Sequence, residues 1–555
     1  MRKLIRILTS RYSICAAFLL IEVALSVYLA FYAYNYSFIF VVLVGIVNLL
    51  VIISLINRDA NPEFKLSWLA VVTLVPLLGG AIYIILAGKR LGKRETEKYR
   101  LTVENVSKGS GRDARALSLP ASALGKLAQS SKAAAGTALS ILADDGCADV
   151  YQGGEVEYFD RGEELFSAML KAISGAKRYI FLEYFIVEDG KMWGAIHDVL
   201  VKKASEGIEV RMLYDDIGCM KTLDRNYDKK LRREGILCYA FAKITPRFSL
   251  SHNNRDHRKI CVVDGEYAFT GGVNLADEYI NEKKRFGHWK DGGVMVKGEA
   301  AIGFMRMFLV SFDFTSGVLS DVSHYLPKSE DSEGVTAIMD KTEAVLPAKS
   351  QAVTERTEPI SSRTDAEEES FGGGFMIPFG SGPSPVYPAS VGKSALMSLI
   401  TTANDYLYLT TPYLIIDYDL TEALRGAAKR GVDVRIITPG KADRRIVNIM
   451  TRSSYAYLIS AGVRIFEYTP GFIHEKLAVS DDKLAIVGTI NLDYRSLVHH
   501  FEDALWMFDC PVIKNIRDSF FKTEGVSREI GLEAARLGFF ERVIRCIVRI
   551  LSPLL

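Results

Sequence analysis

The chain lacks an excess of either charge. Its 68 Lys and Arg stand against 66 Asp and Glu, a net of +2 over 555 residues. That balance argues against a dedicated nucleic-acid binder, which needs a strong basic surplus. Paired cysteines are missing too. Cys15, Cys147, Cys219, Cys238, Cys261, Cys510 and Cys546 are scattered singly, with no C-x-x-C, so neither a disulfide framework nor a zinc knuckle is expected. No His/Cys/carboxylate group sits at zinc spacing. The first apolar run is long and has no small-x-small exit, which excludes a cleaved signal peptide. Large apolar residues are scarce over 327–373, where Ser, Glu, Thr and Lys dominate. Such a stretch cannot bury enough surface to order itself and reads as a flexible linker.

What is present begins with three apolar runs, at about 14–34, 38–56 and 66–87. Each matches the roughly twenty residues that a helix needs to cross a bilayer, so residues 1–100 are expected to be a multi-pass membrane anchor. Buried core helices are the alternative, and the near absence of polar punctuation opposes it. Glu22 is the exception inside the first run, and no function is assigned to it. Six basic residues flank the spans on each side: Arg2, Lys3, Arg6, Arg11, Arg58 and Lys65 against Lys89, Arg90, Lys93, Arg94, Lys98 and Arg100. The second group is the denser, and the cysteines are unpaired. The remaining chain is therefore expected on the cytoplasmic side of the cell membrane.

Residues 101–150 are Ser/Ala/Gly-rich and read as a connector. Beyond them one succession occurs twice. A helix (163–173) leads to the strand YIFLEYFIV (179–187), a second helix and IEVRMLYDD (208–216). A helix near 393–402 then leads to YLYLTTPYLI (406–415), a helix and VDVRIITP (432–439). This is an α/β architecture in two tandem units, 151–326 and 374–530. The end, 531–555, spaces Arg536, Arg542, Arg545 and Arg549 among Leu, Phe, Ile and Val at helical intervals. Such a helix lies either in a membrane interface or on the protein's own surface.

Each unit carries one motif: HRKICVVDGEYAFTGGVN from His257 and HEKLAVSDDKLAIVGTIN from His474. One His-x-Lys-x4-Asp arises by chance in roughly a few per cent of chains this long. Two copies with the same His-to-Asn spacing do not. Residues i and i+2 of a strand share a face, which puts His257 beside Lys259 and His474 beside Lys476. An ammonium neutralises phosphoryl oxygens, Asn274 and Asn491 donate hydrogen bonds, and an imidazole attacks or moves a proton. A lysine beside each His opposes a metal ion, so chemistry without metal or cofactor is expected. Asp264 and Asp481 fall off the His/Lys face at turns, as supports or as reacting groups. Glu502 is the candidate to orient His474, and Asp291 the candidate to orient His257.

These motifs, with NPEFKLSWLAVVTLVPLLGGAIYIILAG, FLEYFIV, SGP at 381–383, TPYLI, NLDYRS and LSPLL, resemble the phospholipase D superfamily and, within it, the bacterial cardiolipin synthases, from about Glu63 to Leu555. The resemblance implies two phospholipase D-like α/β/α sandwich repeats sharing one active site. It also implies ping-pong transfer through a phosphohistidine, with His257 as nucleophile and His474 as acid/base, and with Lys259, Lys476, Asp264 and Asp481 completing the catalytic motifs. Phosphatidylglycerol would be both donor and acceptor, giving cardiolipin and glycerol. Another alcohol acceptor, or hydrolysis, is the alternative; no nucleic acid is involved. HWKDGG (288–293) departs from the family's Trp-Arg-Asp-Thr-His, and His500 stands where relatives commonly carry Asn.

Overall fold

The structure is a computed structural model that describes residues 34–58, 61–75, 78–86, 93–111, 122–243, 254–327, 373–536 and 538–551. The 14–34 run, apart from its last residue, and nearly all of the 327–373 linker lie outside these residues. Helix α1 (Tyr34–Ile56) contains the 38–56 run. The 66–87 run is not one helix but two, α2 (Pro62–Leu74) and α3 (Gly79–Leu86). At 1.5 Å per residue they are only about 20 and 12 Å long. Pro76 follows the end of α2 in sequence and cannot donate the next helical hydrogen bond. The two helices then fold back on each other, with Trp68 and Tyr83 in edge contact at 5.4 Å. Gly79 permits the approach, since a Cβ there would lie 2.7 Å from the Val72 Cα. Among the described residues, no helix is long and apolar enough to cross a membrane.

The stretch expected as a connector is largely helical. It holds most of α4 (Lys93–Gly109), then α5 (Ala123–Ser130) and α6 (Lys132–Asp144). Ser122 and Ser131 start the latter two by accepting from the amides of Gly125 and Ala134, as N-caps do. Val106, Leu127, Ala138 and Ile141 enter the main core.

Each unit then builds a seven-stranded sheet. In chain order the strands are β1 (Tyr151–Gln152), β2 (Glu155–Phe159), β3 (Tyr179–Tyr184), β4 (Glu209–Asp215), β5 (Leu237–Phe241), β6 (Lys259–Val263), β7 (Tyr267–Gly271), β8 (His288–Lys290) and β9 (Gly293–Lys297). The second set is β10 (Phe375–Ser381), β11 (Tyr406–Thr410), β12 (Leu414–Ile415), β13 (Asp433–Pro439), β14 (Arg464–Tyr468), β15 (Gly471–Ile473), β16 (Leu477–Ser480), β17 (Leu484–Gly488), β18 (Leu492–Asp493), β19 (Glu502–Phe508) and β20 (Ser527–Glu529). The first sheet runs β2-β9-β7-β6-β3-β4-β5, and the second runs β10-β19-β17-β16-β11-β13-β14 with β1 and β20 added at its edges. Position by position the two orders are the same. In both, the central strand pairs parallel with its helix-connected successor and antiparallel with the motif strand. The YLYLTTPYLI strand is interrupted, because Thr411–Tyr413 leave the sheet between β11 and β12.

The repeats meet along their motif hairpins, where β7 packs on β17 and β19. Helix α7 (Ala301–Ser316) lies against β3, β5, β6 and β7 of the first sheet and also against β10 of the second. Its buried residues run almost continuously from Ala301 to Asp313, the mark of a helix enclosed on all sides. Helix α8 (Phe539–Leu551), the C-terminal amphipathic segment, packs on α2 and on the helix Arg445–Ser453. It still leaves Phe539, Phe540 and Val543 exposed, so it combines a protein contact with an open apolar face.

The two motif aspartates are turn residues with left-handed backbones, φ 58° at Asp264 and 54° at Asp481. Asp264 accepts the amides of Lys177, Arg178 and Tyr179 at 2.7–2.9 Å. Asp481 accepts those of Asn404, Asp405 and Tyr406 at 2.8–3.0 Å. Both therefore clasp the start of the neighbouring central strand, at the opposite end of the motif strand from the histidine. Asp264→Ala and Asp481→Ala are each expected to cost about 1–3 kcal/mol and to lower the thermal midpoint, while folded protein retains most of its turnover. Loss of turnover without loss of stability in either variant would contradict this placement.

Candidate active site

The histidines sit just outside their motif strands, since β6 begins at Lys259 and β16 at Leu477. Here each chain segment leaves its own sheet and pairs with the other repeat. The His257 amide donates to the Phe501 carbonyl at 2.8 Å, and the Phe501 amide donates to Arg255. On the other side the His474 amide donates to the Lys290 carbonyl at 2.8 Å, extending the parallel pair β15–β8. Each imidazole is thus delivered next to a loop of the opposite repeat.

That exchange reverses the pairing expected from sequence. His257 Nδ1 lies 2.8 Å from Glu502 Oε2, and His474 Nδ1 lies 2.7 Å from Asp291 Oδ2. Burial alone would raise both carboxyls, but the imidazole beside each holds it below its usual range. An ionised carboxylate only accepts, so Nδ1 carries the hydrogen and Nε2 keeps a free lone pair. Burial pulls His257 down to about 3 and His474 down to about 4, which keeps both rings neutral near pH 7. Lys476 Nζ also lies 2.9 Å from His474 Nδ1. That nitrogen has a single hydrogen or a single lone pair, and the shorter contact with anionic Asp291 claims it. Lys476 donates instead to the His474 carbonyl.

The lysines are fully enclosed. Lys259 Nζ donates to the His257 carbonyl at 2.7 Å. Burial lowers Lys259 to about 8 and Lys476 to about 7, with the buried carboxylates opposing that drop. The two half-sites share one electrostatic environment: Lys259 acts on His474 and Asp291, and Lys476 acts on Glu502. Two ammonium groups and two Nε2 lone pairs without protein partners suit a phosphodiester, whose oxygens take the charge and whose phosphorus takes the nucleophile.

The supports differ between the halves. Asn274 is committed, accepting from the Ile186 amide at 3.0 Å and donating to the Tyr279 hydroxyl at 2.7 Å. Asn491 is buried with its Oδ1 unpaired. Thr489 Oγ1 donates to Glu502, whereas Gly272, the equivalent residue in the first motif, leaves room for Asp291. A Cβ on Gly272 would come within 1.9 Å of Asp291 Oδ1. Sequence reasoning found the carboxylates but not their cross-pairing, which depends on an interface that spacing does not encode. It also did not place His500 and Asp503 in the site. Asp503 receives the Lys259 amide at 3.0 Å and the Thr270 hydroxyl, and burial raises it to about 7. The FED run around Glu502 was the available signal for Asp503.

Comparison with known proteins follows this geometry. Residues 169–285 and 396–523 match the family described as cardiolipin synthase, PLD-like domain, and residues 46–88 match phospholipase D-nuclease N-terminal. The chain is 31% identical to a cardiolipin synthase of Alkalihalophilus pseudofirmus over 91% of both chains. It is 31% identical to cardiolipin synthase 2 of Bacillus cereus over 91% of this chain and 89% of that one. An uncharacterized protein of Streptococcus mutans is 35% identical over 91% of this chain and 99% of its own length. The crystal structure of a phosphatidylserine synthase from Haemophilus influenzae superposes with a TM-score of 0.53 at 11% identity, covering 76% of this chain and 98% of that one. That likeness is one of fold.

Because each imidazole is held by one carboxylate, Asp291→Asn and Glu502→Gln are each expected to lower kcat by about 10²–10⁴, the usual contribution of a positioned acid or base, with a smaller effect on KM. Gly272→Ala should reproduce the Asp291→Asn loss by displacing that carboxylate. Wild-type kcat in Gly272→Ala would remove Asp291 from the site's machinery.

Proposed function

The chain belongs to the cardiolipin synthase family of phospholipase D-like proteins and is a phosphatidyl-transferring enzyme; on that premise we propose that it joins two phosphatidylglycerol molecules into cardiolipin, releasing glycerol. The observation that carries the reading is the pair of buried, neutral imidazoles, each locked through Nδ1 with Nε2 free, from two repeats that share one charged cluster. His257 Nε2 attacks phosphorus, forming a P–N bond as the P–O bond to glycerol breaks. His474, loaded with a proton at Nε2 as the phosphodiester anion binds beside it, gives that proton to the glycerol oxygen as it leaves. The hydroxyl of a second phosphatidylglycerol then gives its proton to His474 and attacks phosphorus, and the P–N bond breaks. Lys259, Lys476 and Asn491 take up the phosphoryl oxygens; Asn274, Asp264 and Asp481 hold the frame.

The apolar N-terminal segments and the open face of α8 support attachment to the bilayer that contains the substrate. Leu43, Leu50, Leu66, Leu74, Phe539 and Phe540 are exposed large apolar side chains, a surface costly in water and suited to lipid. The catalytic repeats are proposed to lie on the cytoplasmic side of the cell membrane.

Purified protein in phosphatidylglycerol micelles is expected to form cardiolipin and glycerol without added metal or CDP-diacylglycerol, followed by mass spectrometry of the lipids. Phosphatidic acid as sole product would make the enzyme a hydrolase, and a mixed phospholipid from another added alcohol would make that alcohol the acceptor. His257→Ala and His474→Ala are each expected to reduce product to background, because neither half-site completes both steps.

A further inference from the structure

His500 is the one site histidine that the transfer chemistry does not use. It directly follows the turn Arg495–His499, and its amide donates to the Arg495 carbonyl at 2.8 Å. The residue is only 8% exposed, and neither of its ring nitrogens has a hydrogen-bond partner. Its ring centroid lies 5.6 Å from that of His257, and its Nδ1 lies 3.7 Å from Glu502 Oε1, an oxygen that also has no hydrogen-bond partner. A buried polar group left unpaired in protein is costly unless something else satisfies it. Two such orphaned atoms, His500 Nδ1 and Glu502 Oε1, facing each other beyond hydrogen-bond distance and beside His257, point to an absent guest.

The chemistry of the donors identifies its class. One ligand atom from each of His257, His500 and Glu502 lies within 4.8 Å of the other two. Two imidazoles and a carboxylate form a common donor set for Zn²⁺, whose nitrogen and oxygen ligands sit about 2.0–2.2 Å from the metal and therefore about 3.3 Å from one another. Closing from the present separations takes side-chain shifts on the order of 1 Å. The Glu502 carboxylate supplies negative charge, and the opposing Lys259 ammonium is held on the His257 carbonyl.

We propose that His257, His500 and Glu502 form a binding site for a divalent transition metal of the zinc class, and that its occupancy inhibits the enzyme by taking His257 and its orienting carboxylate out of use. The binding stands on these three residues alone; the inhibition rests on the role proposed for His257.

Isothermal titration of the full-length protein in detergent with Zn²⁺, in the absence of lipid substrate, is expected to give one site of micromolar or tighter affinity with no matching Mg²⁺ binding. His500→Gln should weaken that site at least tenfold. Co²⁺ added to the wild-type protein should give the visible absorption of a low-symmetry nitrogen/oxygen site, a readout that needs no folded variant. Zn²⁺ should also abolish phosphatidyl transfer, with recovery on chelation. Equal Zn²⁺ affinity in wild type and folded His500→Gln, or no Co²⁺ spectrum in the wild type, overturns the site. Metal binding that leaves transfer unaffected overturns the inhibition. Because the titration uses no lipid, an error in the assigned donor or acceptor alcohol leaves its outcome unchanged.

Discussion

The two motif imidazoles are each held by a carboxylate that their own repeat does not supply. His257 belongs to the first repeat and Glu502 to the second; His474 belongs to the second and Asp291 to the first. Neither repeat alone could fix a tautomer or keep a lone pair aimed outward. The backbone makes the same exchange, with Phe501 and Lys290 receiving the histidine amides. Dimensional control of the site therefore resides in the interface. A small rotation of one sheet against the other would lengthen both histidine–carboxylate contacts together, which gives a physical reason for the extensive packing of α7 between the sheets.

Burial sets the chemistry within that frame. In water an imidazole titrates near pH 6.5 and an ammonium near 10.4; here burial moves all four bases down, His257 and Lys476 most of all. A neutral ring is the nucleophilic form, and a ring that binds its proton weakly is an effective acid once a phosphate anion has helped to load it. The residues between His and Lys break the symmetry. Arg258 reaches the Tyr387 hydroxyl at 2.9 Å and Glu183 at 3.6 Å, whereas its counterpart Glu475 receives Tyr158 and faces Lys290 at 3.4 Å. The proton affinities of the two halves differ for another reason: Lys476 is the main charge opposing protonation of His474, whereas at His257 the Glu502 carboxylate outweighs Lys259.

The alternation of helices and strands and the two motif copies were legible because each follows from local periodicity and spacing. The central strands near 179 and 208 and their later counterparts lie within a few residues of where alternation puts them. Three features were not legible for definite reasons. The 66–87 run is apolar throughout, and hydropathy does not register the close helix return at Gly79. The 101–150 stretch is short of bulky residues, yet alanine and serine are good material for helices that pack closely and cap one another. The carboxylate exchange depends on how two sheets dock, and nothing in either repeat's own sequence records its partner.

The same logic separates the aspartate and the histidine of each motif by distance from the interface. The aspartate and histidine of a motif stand at opposite ends of one short strand. At the aspartate end, three amides of the neighbouring strand converge on a single carboxylate, which fixes where the sheet begins. At the histidine end, the strand has no partner left in its own sheet and borrows one from the other repeat. Register set at the first end thus determines the height at which the imidazole emerges at the second. With about 3.3 Å of rise per residue, a one-residue slip would carry the ring past its carboxylate, so the aspartates fix the height of the imidazole through the backbone although they lie at the far end of the strand.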